Sequence, residues 1–236
     1  MTSSMRDLRV YTTYPHNCSY LDDQEATTLF VDPRQPVDQA LYSNLSQLGF
    51  RRSGNHIYRP HCEHCKACIA ARIPVATFTP RRAQRRILSR NRDLRVVTTH
   101  DIRDSAAYDL YRRYIEQRHA DGDMYPPDRE QYESFLSNAW NCTCYYRFSA
   151  GDTLVGVAVV DALTDGLSAI YTFFEPQAER RSLGTFTILW QIERTRELGL
   201  DYLYLGYFIR DCRKMAYKSA FRPLELLVDG HWTTLL

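Results

Sequence analysis

A chain of 236 residues, 44% of them hydrophobic, can bury the core of one large domain or two small ones. Its formal net charge of +2 excludes a chain-wide polyanion-binding surface, so contact with nucleic acid has to rest on a local concentration of charge. No stretch approaches the ~20 apolar residues of a membrane helix, and Met1–Asp7 is followed by no apolar run of the signal-peptide kind. A cytoplasmic location follows, in which thiols stay reduced. The seven cysteines, an odd number, then point to metal binding or packing rather than to disulfides.

In chain order, Leu8–Tyr11 reads as a short strand leading to Cys18. Pro36–Leu48 reads as a helix, with Val37, Leu41, Leu45 and Leu48 on one face, Pro36 in its first turn and Gly49 as its stop. A basic and aromatic segment, Phe50–Arg59, leads into Cys62, Cys65 and Cys68, a C-x2-C-x2-C run. Each short gap turns the backbone back toward one point, the spacing that holds iron–sulfur clusters and, in its C-x2-C halves, zinc. Cys18 is the candidate fourth ligand. Ala71–Val75 reads as a strand that Pro74 demotes to an edge.

Thr79 as N-cap opens a helix that runs to Arg95 and carries seven arginines (81, 82, 85, 86, 90, 92 and 95) against one acid, Asp93. Charge runs usually mark a solvated face, but here almost nothing balances the charge. Guanidinium forks at Arg81, Arg82, Arg85 and Arg86 suit phosphate oxygens, which predicts a compact site for one end of an RNA.

The texture changes near residue 95, giving an N-terminal part over residues 1–95 and a second part over 96–236. A strand at Leu94–Thr99 precedes a helix through Ala107, Leu110, Tyr111, Tyr114 and Ile115, toward His119. A capping box at Asp128 and Gln131 opens another helix. Three strands follow, Thr143–Phe148, Leu154–Leu163 and Leu167–Phe174, joined by Gly-containing turns. A helix over Ser182–Leu198, a strand over Tyr202–Phe208, a short helix over Lys214–Ala220 and a hairpin turning at Asp229-Gly230 complete an α+β pattern. Cys142, Cys144 and Cys212 read as packing thiols, and His119 as a helix cap or a base. Arg180–Thr185, between strand and helix, can offer N–H groups to an anion.

Several motifs in order resemble the bacterial aspartate/glutamate leucyltransferases, relatives of the arginyl-tRNA–protein transferases. They are Cys18-Ser19-Tyr20, Gly49-Phe50-Arg51-Arg52-Ser53-Gly54 with Arg59-Pro60, the cysteine run, Arg81–Arg86 and Asn91-Arg92-Asp93-Leu94. Gly122-Asp123-Met124-Tyr125, Tyr171–Pro176, Ser182-Leu183-Gly184, Tyr204-Leu205-Gly206-Tyr207 and Met215-Ala216-Tyr217-Lys218 extend the match over nearly the whole chain. The resemblance implies an enzyme moving leucine from Leu-tRNA to the α-amine of proteins that begin with Asp or Glu. It also implies a GNAT-like (acetyltransferase-like) C-terminal domain behind a smaller cysteine-bearing N-terminal domain. The implied metal centre, a [4Fe-4S] cluster or zinc, falls on Cys18, Cys62, Cys65 and Cys68, with His16, His61 and His64 as further zinc donors.

An aminoacyl ester is already activated, so positioning and oxyanion stabilisation can carry the reaction without a protein nucleophile. The expected reaction centre is the Tyr171–Glu175 strand facing the Arg181–Gly184 loop, with Tyr171 and Glu175 as the catalytic candidates and Glu175 either taking the amine proton or serving as a structural carboxylate at the strand end. Arg181, Ser182 and Gly184 are expected to contact substrate, and Arg210, Lys214 and Lys218 are candidate cations for the acceptor's acidic side chain. An acetyl-CoA donor would want a small residue two positions past Gly184, where this chain has Phe186.

Overall fold

The computed structural model describes residues 8–138 and 140–235. In chain order its elements are Val10–Thr12 (β1), His16–Asn17 (β2), Glu25–Ala26 (β3), Thr28–Val31 (β4), Gln39–Gln47 (α1), Arg51–Ser53 (β5) and His56–Pro60 (β6). Next come Ile69–Pro74 (β7), Arg82–Arg90 (α2), Leu94–Thr99 (β8), Ser105–Arg118 (α3), Arg129–Leu136 (α4), Thr143–Ala150 (β9) and Thr153–Ala162 (β10). Gly166–Phe174 (β11), Leu183–Glu197 (α5), Tyr202–Phe208 (β12), Arg213–Ala216 (α6), Leu224–Val228 (β13) and His231–Leu235 (β14) follow. No helix among the described residues is long and apolar enough to cross a membrane.

An eight-stranded sheet runs β14-β13-β7-β12-β11-β10-β9-β8, and a four-stranded sheet runs β1-β4-β6-β5. In the large sheet α5 and α2 cover one face, over Ile73, Phe148 and Leu203, which pack with Leu189 of α5. The other face meets α3 and α4 through Tyr111, Tyr132, Val157 and Phe173. Three of the helices, α1, α3 and α4, start on side-chain caps: Asp38, Asp104 and Asp128 accept from Leu41, Ala107 and Gln131 N–H.

The sheets do not divide at residue 95. β7, from the first part of the sequence, lies inside the large sheet between β13 and β12. Pro74 was read as the mark of an edge strand, yet it does no harm at an interior one. It is the last residue of β7, opposite Tyr202, and β13 pairs with β7 only at Arg72 and Ala71. No ladder bond is needed from the proline nitrogen on that side. The arginine helix is also shorter than its composition suggested. Arg81, rather than Thr79, is the residue before its first turn, and it stops at Asn91, whose amide donates to Ile87 O at 2.9 Å.

The two sheets are joined through a buried ion pair. Arg52 on β5 donates from Nε and Nη2 to Asp161 on β10 at 2.6 and 2.8 Å, and neither side chain is exposed. Tyr42 of α1 and Thr143 of β9 donate to the same carboxylate at 2.9 and 2.6 Å. The remaining guanidinium N–H groups reach Phe135, Leu136 and Ser137 carbonyls at 3.4 Å, where α4 ends and its partial negative charge favours a cation. Gly54 makes this docking possible: its φ is +56°, and a Cβ there would lie 2.4 Å from Ser134 O.

Because both charges are dry, losing one strands the other. Asp161→Asn should lower unfolding free energy by about 3–5 kcal/mol in urea titrations, whereas Arg52→Met with Asp161→Leu should recover a large part of that loss.

Candidate active site

β11 and β12 are parallel but pair only over Gly166–Ser168 with Tyr202–Tyr204. Beyond that point both strands bulge relative to their other neighbours, β11 at the Val159/Val160 step of β10 and β12 at its Tyr204/Gly206 step against β7. The result is an opening between two adjacent strands, as bulges bend the strand that carries them. Arg51 of β5 enters this opening. It donates from Nη1 to Ser168 Oγ at 2.6 Å and from Nη2 to Ala169 O at 2.5 Å. Gly206, at φ +74°, leaves the room, since a Cβ there would lie 3.2 Å from Arg51 Nε.

Lys218 lies in the same neighbourhood, on a 3₁₀ turn over Tyr217–Ala220, and is 3% exposed. Its Nζ donates to Met215 Sδ at 3.1 Å and sits 4.8 Å from the centre of the Tyr217 ring. Burial pushes the amine down to about 8, and the nearby Arg51 guanidinium adds to the shift. Tyr58 and Tyr207 close the surroundings; burial raises both phenols, and each responds to Arg51 on one side and Cys68 on the other.

The other expected cations have different circumstances. Lys214 pairs with Asp121 at 3.0 Å on the surface, and Arg210 is exposed.

The segment after β11 is tied down rather than open. Glu175 accepts from Arg113 Nε at 3.2 Å, and its other oxygen accepts from Gln177 N at 3.3 Å. Arg181 grips Asp93 with two bonds of 2.9 and 2.8 Å, which hold that carboxyl below its ordinary range. Asn91 donates to Arg181 O at 2.8 Å, and Arg90 donates to Arg180 O. Ser182, with φ +52°, turns the chain into α5, and Gly184 leaves space for the Phe174 ring, 3.2 Å from where a Cβ would stand. Tyr171 belongs to the aromatic cluster with Tyr111, Tyr114 and Phe135, its hydroxyl buried without a hydrogen-bond partner among the described residues. Phe186 points into the core against Phe148, so its bulk lies away from this segment and does not bear on an acetyl-CoA donor.

α2 spans these two regions. At its start, Gln84 accepts from Arg81 N–H and donates to Ala220 O at 3.2 Å, beside the Lys218 turn. At its end, Arg90 and Asn91 hold the Arg180-Arg181 backbone. Arg81, Arg82, Arg85 and Arg86 are exposed on it, and among the described residues none is ion-paired. Nothing there neutralises the guanidinium groups.

The four expected cysteine ligands line one cavity of about 940 Å³, together with Tyr20, Tyr58 and Tyr207. Burial, and then the neighbouring Cys18, Cys62 and Cys65 thiols, push Cys68 up to about 12. Tyr20 N–H donates to Cys18 Sγ at 3.5 Å. Among the described residues no three His, Cys, Asp or Glu side chains converge closely enough to hold a metal ion. His16 and His61 line the cavity, whereas His64 faces solvent beside Glu63. Cys142, Cys144 and Cys212 are buried.

Arg51, Tyr58 and Tyr207 were not among the expected site residues. One signal for Arg51 was available: adjacent arginines on a strand must diverge to opposite sides, so Arg51 and Arg52 cannot share one solvated face.

Residues 16–86 match the description "Arginine-tRNA-protein transferase, N terminus", and residues 106–228 match "Arginine-tRNA-protein transferase, C terminus". An aspartate/glutamate leucyltransferase of Pseudomonas aeruginosa is 57% identical over 228 residues, covering 97% of both chains. One of Pseudomonas fluorescens is 55% identical at the same coverage. Among solved structures, L-PGS from Bacillus licheniformis aligns at a TM-score of 0.48 and 14% identity, over 61% of this chain and 48% of that one. With both halves of the family description matched in order, and relatives this similar along their length, the chain belongs to the arginine-tRNA–protein transferase family.

Proposed function

We propose that this protein moves leucine from Leu-tRNA to the N-terminal α-amine of proteins that begin with Asp or Glu, marking them for degradation. The observation that carries this reading is the 57% identity over 97% of the chain to relatives named for that activity. The site chemistry supports it. The unpaired arginines of α2 suit a tRNA end, whose phosphates are bound by charge and whose affinity falls with salt. The opening between β11 and β12 supports a GNAT-like scaffold, in which an acyl group lies across parting strands and the amine approaches from one side. In the reaction the amine nitrogen forms a bond to the ester carbonyl carbon and the bond to the tRNA ribose oxygen breaks. The amine gives up a proton and the ribose oxygen gains one. An α-amine with a pKa near ~7.7 is substantially neutral in the cytoplasm, so no strong base is required.

Within this reading Arg181, Ser182 and Gly184 shape the loop beside the reacting ester, with Arg181 acting through its grip on Asp93. Glu175 serves through its pair with Arg113 as the anchor of that loop rather than as a base. Tyr171 lies behind it in the aromatic layer and positions the strand.

Cys18, Cys62, Cys65 and Cys68 would hold a [4Fe-4S] cluster or zinc. Their fit rests on four soft donors around one cavity, with Cys68 near enough to the other three to feel their charge. When bound, such a centre supplies a crosslink among β2, the turn after it and the segment before β7. The chain's own contribution there is to hold the half-buried thiols around one cavity and to back them with Tyr58 and Tyr207.

Labelled Leu-tRNA and Arg-tRNA offered to peptides beginning with Asp, Glu, Lys or Ala test the reaction. Leucine should appear on the Asp and Glu peptides only; arginine there instead would overturn the donor. Replacing Arg81, Arg82, Arg85 and Arg86 with alanine should raise KM for Leu-tRNA about tenfold or more and flatten its logarithmic salt dependence by about 3, with peptide KM unchanged. Cys62→Ser should lower metal content, melting temperature and activity together; normal stability with full metal content would remove Cys62 from the ligand set.

A further inference from the structure

Arg51 lies in the opening between β11 and β12, Lys218 lies on the turn that packs against β12, and among the described residues neither has an ion-paired acid. Burying an ammonium group without a counter-charge is expensive, and a lysine in such a place is rarely there for stability. Lys218 is 3% exposed, yet among the described residues its Nζ hydrogen-bonds only a thioether, a weak acceptor. Arg51 is pinned by Ser168 and Ala169 through one N–H of each Nη, and a guanidinium has five N–H donors. The two charges are close enough that Arg51 disfavours protonation of Lys218. Such a pair is an arrangement waiting for an anion.

Building on the leucyltransferase reading, we infer that Arg51 and Lys218 together hold the side-chain carboxylate of the acceptor's N-terminal Asp or Glu. A carboxylate is small enough for a gap between two strands, and it can accept from a fixed guanidinium and a mobile ammonium at once. The difference in tolerance between the two cations explains why one site serves both acids. Arg51 is held in place by the sheet, while the four-carbon stem of Lys218 can absorb the one methylene by which Glu exceeds Asp. Gly206 belongs to the same device, because any side chain there would crowd Arg51. A tRNA phosphate is the less favoured occupant. The exposed arginines of α2 already face outward for phosphates, whereas Lys218 sits behind the Tyr217 ring.

The test compares acceptor peptides that begin with Asp and with Asn, which share a shape and differ in charge. Transfer rates and peptide binding, the latter by calorimetry without tRNA, are measured for the wild type, Lys218→Met, Lys218→Arg and Arg51→Gln. Lys218→Met should melt no lower than the wild type, since it removes an unpaired buried charge at nearly constant volume. It should raise KM for the Asp peptide by about thirtyfold, collapse the Asp-over-Asn preference, and leave KM for Leu-tRNA within twofold. Lys218→Arg should restore part of the preference, and Arg51→Gln should reduce it as well. An unchanged Asp-over-Asn ratio in Lys218→Met would overturn the inference, and so would a rise in KM for Leu-tRNA with peptide KM unmoved, which would assign the cations to phosphate. Should Lys218→Met fail to fold, Arg51→Gln decides by the same ratio. Wild-type protein that transfers arginine would overturn the donor reading alone, because the calorimetric comparison of Asp and Asn peptides does not involve the donor.

Discussion

Taking the Arg52 guanidinium and the Asp161 carboxylate out of water costs several kcal/mol for each ion, and only a full set of hydrogen bonds makes that tolerable. Here the set is complete in both directions: Tyr42 and Thr143 share the carboxylate, and the carbonyls at the end of α4 share the guanidinium. The network uses side chains or backbone from α1, β5, α4, β9 and β10. None of these elements can shift without leaving a buried charge short of partners. An apolar contact of equal area would tolerate sliding; this one fixes register. It therefore sets where the four-stranded sheet stands against the eight-stranded one.

What that fixation achieves lies one residue earlier. Adjacent strand residues point to opposite sides, so anchoring Arg52 in the buried network necessarily directs Arg51 elsewhere, into the gap between β11 and β12. The same small sheet carries Tyr58 on β6, which faces the cysteine cavity and Arg51 together. The thiol cavity and the strand opening thus share a wall of two tyrosines, Tyr58 and Tyr207, with ring centres 6.4 Å apart and planes tilted by 55°. A metal crosslink among Cys18, Cys62, Cys65 and Cys68 would stiffen that wall, which gives the N-terminal region a mechanical relation to the acceptor site.

Local chemistry made much of the chain legible. Tyr202–Phe208 appears as the strand its composition suggested, Asp128 caps α4, and the hairpin turns at Asp229-Gly230, both at positive φ. Information that depends on distant partners was not readable. Pro74 carries a general rule about edges, and only the short reach of β13 along β7 reveals why the rule fails here. The arginine run continues past Asn91, but the helix stops there because the Asn91 amide is taken up by Ile87 and the Arg181 backbone. Phe186 was read as an obstacle to an acetyl-CoA donor because its spacing from Gly184 was read without knowing which face of α5 meets the sheet. Lys218 was one of three candidate cations in its region, and sequence could not separate them. Separation came from a surface acid beside Lys214, solvent around Arg210, and the lack of either at Lys218.

Arg52 and Lys218, both buried, make an instructive contrast. Arg52 has every donor answered by an acceptor from the chain itself, and its role ends with the fold. Lys218 is hidden almost as well and has a sulfur atom for company. Stability alone would favour methionine or leucine at such a position, since an uncompensated charge in a dry site works against the folded state. A chain that satisfies one buried cation so completely has the means to satisfy another, as the surface pair of Lys214 with Asp121 also illustrates. The missing acid at Lys218 is therefore best understood as a partner that arrives with the substrate.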